Sequence, residues 1–79
     1  MAVEPNEVLD CSGMSCPMPI LKTKKAIDNM ADGQVLKMIA TDPGSKADMD
    51  AWVNKTGHEL LEYQQEDGKH IFFVKKVGG

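Results

Sequence analysis

The chain has 79 residues, of which 42% are hydrophobic and 27% are charged, and its formal net charge is -3. A chain of this length forms one small domain with a modest core, so we expect a single domain over residues 1–79. All nine basic residues are lysine, so the chain lacks the planar arginine group that makes bidentate contacts to phosphate and guanine. Direct binding of nucleic acid is therefore not expected.

The first ten residues, MAVEPNEVLD, contain acidic side chains where a secretory signal requires a basic region followed by an apolar run. No later segment approaches the roughly 20 apolar residues that a membrane span needs. These features predict a cytoplasmic protein that does not contact a membrane. In such a reducing compartment the two cysteines, Cys11 and Cys16, are expected to be thiols rather than a disulfide.

A short strand and an amphipathic helix are predicted for the first part of the chain. The strand covers residues 7–11 and ends at the turn-forming Ser12-Gly13. The helix opens near Cys16-Pro17, because proline suits a first helical turn, and it ends near Asp32-Gly33. Helical spacing separates a core-facing set from a polar set, namely Ile20, Thr23, Ile27, Met30 and Ala31 against Lys22, Lys25 and Asn29.

A second strand and a second helix follow. Residues 34–42 mix β-branched and apolar side chains, as a largely buried strand does, and Asp42-Pro43-Gly44 breaks the strand. Ser45 is expected to cap the helix, with Asp48 three residues later in an approximate capping box. Gly57 is expected to close the helix. Its predicted buried face consists of Met49, Trp52, Val53 and Thr56.

The last part of the chain predicts a β-hairpin. Residues 58–65 and 70–77 are strand candidates, and the Asp67-Gly68 pair between them favours a tight turn. The complete order is βαβαββ. It predicts an α+β fold, a two-layer α/β sandwich in which two helices cover one face of a four-stranded mixed sheet.

Cys16 is the first candidate for chemistry. A helix N-terminus lowers the pKa of a thiol, and the thiolate is the nucleophilic form. Pro17 and Pro19 have no N–H, so the Met18 N–H is the expected donor to the sulfur. The alternative is that Cys16 is a buried residue before a helix and that the prolines only mark the helix start. The spacing of these residues leaves both interpretations open.

The segment around Cys16 resembles a known family. Leu9-Asp10, Gly13 and Cys16-Pro17-Met18-Pro19 match the Cys-Pro-x-Pro motif region of the TusA (SirA-like) sulfur-carrier family. The resemblance continues through residues 39–43, the second helix, residues 57–60 and the terminal Lys75-Lys76. It therefore covers nearly all of the chain and implies the same βαβαββ fold.

The resemblance implies a function and a set of partners. Members of this family carry sulfane sulfur as a persulfide on the motif cysteine, which is Cys16 here, with Pro17 and Pro19 shaping its presentation. A cysteine desulfurase or a rhodanese-type protein loads the sulfur, and an acceptor protein with a reactive cysteine receives it. The outlets are tRNA 2-thiouridine synthesis and sulfur oxidation. No prosthetic group is implied, and a carrier that docks several partners is expected to be a monomer.

The residues that follow Cys16 are weighed beside it. Met18 either packs against a neighbouring loop or is an apolar anchor that faces a partner protein. The positive patch of Lys22, Lys24 and Lys25 is either an ordinary solvated helix face or a surface that attracts an acidic partner protein. In the second case they would also suit a competing function, a non-catalytic binding or regulatory module that uses the first-helix face. Cys11 is either a small apolar residue at the end of a strand or a second, resolving thiol that attacks the persulfide.

The two histidines and the terminal glycines are weaker candidates for a functional site. His58 and His70 are expected to be partly exposed strand residues, and no set of four zinc ligands is evident, so no metal is expected. The terminal Gly78-Gly79 is compatible with ubiquitin-like sulfur carriers, which activate a C-terminal glycine as a thiocarboxylate. Those proteins begin with a β-hairpin, whereas this chain begins with a strand and a helix. We therefore expect the glycines to be a frayed end.

Overall fold

The structure is a computed structural model that describes residues 5–15 and 18–77. Cys16, Pro17 and the terminal Gly78-Gly79 lie outside the described residues, so what the sequence predicts of them stays a prediction. The elements follow the predicted order: β1 (Glu7–Cys11), α1 (Met18–Asp28), β2 (Val35–Ala40), α2 (Ser45–Thr56), β3 (Glu59–Glu66) and β4 (Lys69–Lys75).

The four strands form one mixed sheet in the order β1-β2-β4-β3. Strand β1 pairs with β2 in parallel, and the other two pairings are antiparallel. The carboxyl ends of β1 and β2 therefore meet at one edge of the sheet, where Cys11 pairs with Ala40. Both helices cover the same face, which confirms the predicted two-layer sandwich.

The core lies between the helices and that face of the sheet. Alternation along β2 turns Leu36, Met38 and Ala40 toward the helices. On β4 the fully buried Phe72 and Val74 lie beside Met38 and Leu36. Each large apolar side chain buried in this way contributes about 1.5–3 kcal/mol to stability.

Helix α1 ends early and buries the predicted side except for Ala31, which is exposed beyond the end of the helix. Thr23 and Ile27 are fully buried, and the hydroxyl of Thr23 is satisfied by the Pro19 carbonyl at 2.8 Å. The helix ends at Asp28, not near Asp32, because the next two N–H groups bond three residues back in a tightened last turn, the Met30 N–H to Ile27 at 3.0 Å.

Helix α2 corrects two predictions. It begins at Ser45 itself, with Gly44 as the N-cap, and no side chain caps it. The hydroxyl of Ser45 is buried and has no hydrogen-bond partner among the described residues, so the expected capping box is wrong. Thr56 is exposed rather than on the buried face. Gly57 closes the helix as predicted, at φ 84°, with its N–H donating to the Val53 carbonyl.

The hairpin confirms the predicted turn. Asp67 and Gly68 have φ values of 50° and 76°, the left-handed pair that a two-residue hairpin of type I′ requires. The strands differ from the prediction by one or two residues at their ends, and a bulge separates Leu60 from Glu62 in β3. No helix in residues 5–15 and 18–77 is both long and apolar enough to cross a membrane.

Candidate functional site

The site is built around the connection between β1 and α1, residues 12–17, which we call the sulfur loop. The loop leaves the sheet at the edge where the carboxyl ends of β1 and β2 meet. Cys16 and Pro17 lie outside the described residues, but the residues on both sides of them are defined. The geometry of these flanking residues shows how the loop is held.

Three hydrogen bonds hold the N-terminal side of the sulfur loop. The Ser12 N–H donates to the Asp10 carboxylate at 2.9 Å, and the Met14 N–H donates to the Cys11 carbonyl at 3.1 Å. The Gly13 N–H donates to the hydroxyl oxygen of Thr41 at 2.8 Å. The first two bonds are local turn contacts of the kind that aspartate favours. The third reaches a residue 28 positions away, at the end of β2.

The Asp10 carboxylate is suited to accept the hydrogen bond from the Ser12 N–H. Hydrogen bonds from the Ser12 side chain and backbone lower the pKa of the Asp10 carboxyl, and the charge of Lys69 acts in the same direction. The group is therefore ionised at neutral pH, when it can only accept hydrogen bonds. The sequence feature that indicates this contact is an aspartate near the end of a strand with a serine two residues later.

The C-terminal side of the loop is closed by a turn. The Met18 N–H donates to the Ser15 carbonyl at 2.9 Å, and the expected donation from Met18 to the Cys16 sulfur concerns an atom outside the described residues and stays a prediction. Pro19 is fully buried and anchors the helix start in the core. The first turn of α1 contains no acidic residue, so no carboxylate within that turn opposes the partial positive charge of the helix N-terminus.

Cys11 lies in a different environment. It is fully buried and belongs to the hydrophobic core. Burial raises the pKa of its thiol, and the negative charge of Asp10 raises it further, against a smaller lowering by Lys22. A buried thiol with a raised pKa is a poor nucleophile. These properties favour the structural interpretation of Cys11 over that of a resolving thiol.

One exposed face of α1 follows the sulfur loop directly. Its members recur at helical spacing and combine two exposed apolar side chains with two exposed lysines: Met18, Leu21, Lys22 and Lys25. We call this set the docking face. Met18 is 43% and Leu21 54% exposed. Neither lysine takes part in an ion pair with another described residue, whereas the neighbouring Lys24 pairs with Asp28 at 3.0 Å.

Leu21 was missed by the sequence analysis, although a signal was present. It follows Met18 by three residues, and both lie on the lysine side of the helix rather than among the core positions. Thr41 was missed as well, because no local pattern indicates that its hydroxyl reaches the sulfur loop. Only the pairing of β1 with β2 brings the two together.

The histidines do not form a metal site. His70 is 8% exposed, not partly exposed as predicted, because its ring faces the core and its Nδ1 bonds the Tyr63 hydroxyl at 2.6 Å. His58 is half-buried and its Nδ1 accepts the Val77 N–H at 3.1 Å. Among residues 5–15 and 18–77, no group of three or more histidine, cysteine or acidic side chains could hold a metal ion.

The chain is similar to several known proteins. Sulfur carrier protein TusA of Allochromatium vinosum is 52% identical over 71 residues, which cover 90% of this chain and 93% of the relative. Putative sulfur carrier protein YrkI of Bacillus subtilis is 45% identical over 71 residues, covering 90% and 95%. A solved SirA-like protein from Desulfitobacterium hafniense matches with a TM-score of 0.78 over 91% of this chain and 99% of its own, and at 22% identity it shows the shared fold.

The family itself is identified over almost the whole chain. The sequence profile described as Sulfurtransferase TusA matches residues 7–76. That range begins with β1, contains the complete Cys-Pro-x-Pro segment at residues 16–19, and ends just after β4. The chain belongs to the TusA family of sulfurtransferases.

Proposed function

We propose that this protein is a sulfur carrier that accepts sulfane sulfur as a persulfide on Cys16 and passes it to a thiol of a partner protein. The observation that carries the proposal is the place of Cys16 in the chain. It lies two residues before the first residue of α1, in the motif of a sulfurtransferase family and next to a first helical turn without acidic residues. Such a position favours the thiolate.

The two sulfur-transfer steps require neither an oxidant nor a prosthetic group, because each forms one S–S bond and breaks another. The Cys16 thiolate attacks the outer sulfur of a persulfide on the donor protein, a new S–S bond forms, and the donor cysteine leaves as a thiolate. In the second step the acceptor thiolate attacks the outer sulfur on Cys16, and the Cys16 thiolate leaves. Each step is a thiol exchange, and its rate depends on the thiolate character of the attacking and leaving cysteines. Pro17, Pro19 and Gly13 set the path of the loop that presents the sulfur.

The partners follow from this chemistry. The donor is a protein that forms a persulfide on its own cysteine, such as a cysteine desulfurase or a rhodanese-type enzyme, and the acceptor is a relay protein with a reactive cysteine. The docking face suits an acidic partner surface that also has an apolar pocket, because it places two lysines around Met18 and Leu21. The protein works in the cytoplasm as a monomer and feeds either sulfur oxidation or tRNA 2-thiouridine synthesis.

A two-step transfer experiment tests this function. A donor enzyme is supplied with isotopically labelled sulfur, excess donor substrate is removed, and an acceptor protein with one reactive cysteine is added. We expect the label to move from the carrier to the acceptor and to be released from it by a thiol reductant. Cys16→Ser should abolish transfer, whereas Cys11→Ala should retain it. Transfer that persists in Cys16→Ser would contradict the proposal and favour a non-catalytic binding module.

A further inference from the structure

We propose that Thr41 is a positioning residue for sulfur transfer, because its hydroxyl ties the sulfur loop to the neighbouring strand. The Gly13 N–H donates to the Thr41 Oγ1 at 2.8 Å. Thr41 directly follows β2, and Gly13 lies two residues after the end of β1. This inference rests on the proposed carrier function and adds to it a residue outside the Cys-Pro-x-Pro motif.

The hydrogen bond between Gly13 and Thr41 spans far more of the chain than the other hydrogen bonds of the loop. The bonds from Ser12 to Asp10 and from Met14 to Cys11 span two and three residues, so they shape the turn but move with it. Among the described hydrogen bonds, that of Thr41 alone joins residues 12–15 to another element of the sheet. It therefore fixes where the turn sits relative to the sheet.

The hydrogen bond to Thr41 is made at a glycine, the residue type that restricts the backbone least. Gly13 has φ +80°, and a Cβ built there would meet no atom within 4 Å. Glycine rotates more freely than any other residue, so Gly13 is the point at which the loop would swing most easily. The bond to Thr41 restrains this residue, which precedes Cys16 by three positions in the chain.

The effect should be on the rate of transfer rather than on folding. Gly13 is exposed, so water can satisfy its N–H when the threonine hydroxyl is removed. The fold should therefore tolerate Thr41→Val, which keeps the shape of the side chain. Transfer requires the sulfur to meet a partner thiol in a narrow range of orientations, and a loosened loop reaches that arrangement less often.

The test compares Thr41→Val with Thr41→Ser, which keeps the hydroxyl, and with Thr56→Val as a matched control. The Thr56 hydroxyl also makes one hydrogen bond to the backbone, here by donating to the Trp52 carbonyl at 2.8 Å, but Thr56 ends α2 and no described hydrogen bond joins its side chain to residues 12–15. The carriers are loaded with sulfur to the same extent, judged by intact mass. Single-turnover transfer to a saturating acceptor thiol is then timed.

We expect Thr41→Val to slow transfer by roughly threefold to tenfold, the range that one net hydrogen bond of this kind supports. Thr41→Ser should restore most of the rate, and Thr56→Val should leave it unchanged. Hydrogen exchange at the Gly13 amide should quicken in Thr41→Val only, while the melting temperature stays close to that of the wild type.

Two results would overturn the inference: a Thr41→Val carrier that transfers at the wild-type rate, or a Thr41→Ser carrier as slow as Thr41→Val. Equal slowing by Thr56→Val would do so as well, because the effect would then be one of general stability. These outcomes are distinct from failure of the proposed function. In that case the wild-type protein itself takes up no sulfur, and both proposals fall together.

Discussion

Cys11 and Ala40 lie side by side at the carboxyl ends of the two parallel strands, and both are fully buried. The residues that follow them, Ser12 and Thr41, leave the core at the same edge of the sheet. The parallel register of β1 and β2 thus places the start of the sulfur loop beside the end of β2. Cys11 therefore ends a core strand, five positions before Cys16 in the chain.

Cys11 is predicted to react slowly with alkylating reagents. Its thiol is fully buried with a raised pKa, so in the native protein one thiol should react quickly and Cys11 only on unfolding. The sites are distinguished by mass spectrometry on Cys16→Ser, which leaves Cys11 alone. Fast labelling of Cys11 in that native variant would revive its interpretation as a resolving thiol.

The raised pKa of Cys11 also predicts a dependence of stability on pH. A group whose pKa is higher in the folded state favours folding below its unfolded pKa, about 8.5 for a thiol, and loses that contribution as the pH rises through the folded value. Urea unfolding of the wild type should therefore lose stability more steeply above that pH than unfolding of Cys11→Ala. Parallel curves for the two proteins would show that burial does not perturb this thiol.

The docking face is predicted to steer acidic partners. Charge reversal in Lys22→Glu and Lys25→Glu should slow association with the sulfur donor several-fold, and the effect should shrink as salt screens the charges. Lys55→Glu is the matched control, because Lys55, like Lys25, is an exposed lysine in the last turn of a helix. Binding measured by surface plasmon resonance at two salt concentrations decides the matter. Equal losses in Lys25→Glu and Lys55→Glu would mean that only net charge counts.

The contact between Tyr63 and His70 is predicted to be sensitive to substitution. The Tyr63 hydroxyl lies 2.6 Å from Nδ1 of His70, which is nearly buried. Tyr63→Phe leaves that nitrogen without its partner and should cost about 1–3 kcal/mol of unfolding free energy. Thr56→Val, which removes an exposed hydroxyl, should cost clearly less in the same urea titration. Similar losses in both would show that the His70 ring finds water or another partner.

Substitution of Ser45 distinguishes the expected capping role from the buried position that the structure shows. If it capped α2, Ser45→Ala would destabilise the protein by roughly 1 kcal/mol. Its hydroxyl is instead buried without a partner in the described part of the chain, so removing it should be neutral or stabilising. Thermal unfolding monitored by circular dichroism distinguishes the two. A clear fall in melting temperature would restore the capping interpretation.

The order of elements could be predicted from sequence because each element carries a local signal. Alternating burial along β2, the Asp67-Gly68 turn and the closing Gly57 all lie within a few residues of the structure they determine. Ser45 was assigned wrongly because a serine before a helix fits both the N-cap and the first helical position. The choice depends on how deeply the side chain is buried.

The candidate site was only partly predictable. The Cys-Pro-x-Pro segment is a short pattern and could be recognised directly. The hydrogen bond between Gly13 and Thr41 joins residues 28 positions apart. The burial of His70 depends on Tyr63 of the adjacent strand. Contacts of this kind arise from strand pairing, which no short pattern specifies. Leu21 differs, because its exposed position followed from the same helical spacing that placed the lysines.

The central claim is tested most directly by the intact mass of the protein after loading. Wild type, Cys11→Ala and Cys16→Ser are each incubated with a cysteine desulfurase, pyridoxal phosphate and cysteine, or with a rhodanese supplied with thiosulfate. We expect the mass of one added sulfur atom, removable by a thiol reductant, in the wild type and in Cys11→Ala, and none in Cys16→Ser. The same added mass in Cys16→Ser, or its absence from the wild type with both donors, would contradict the account.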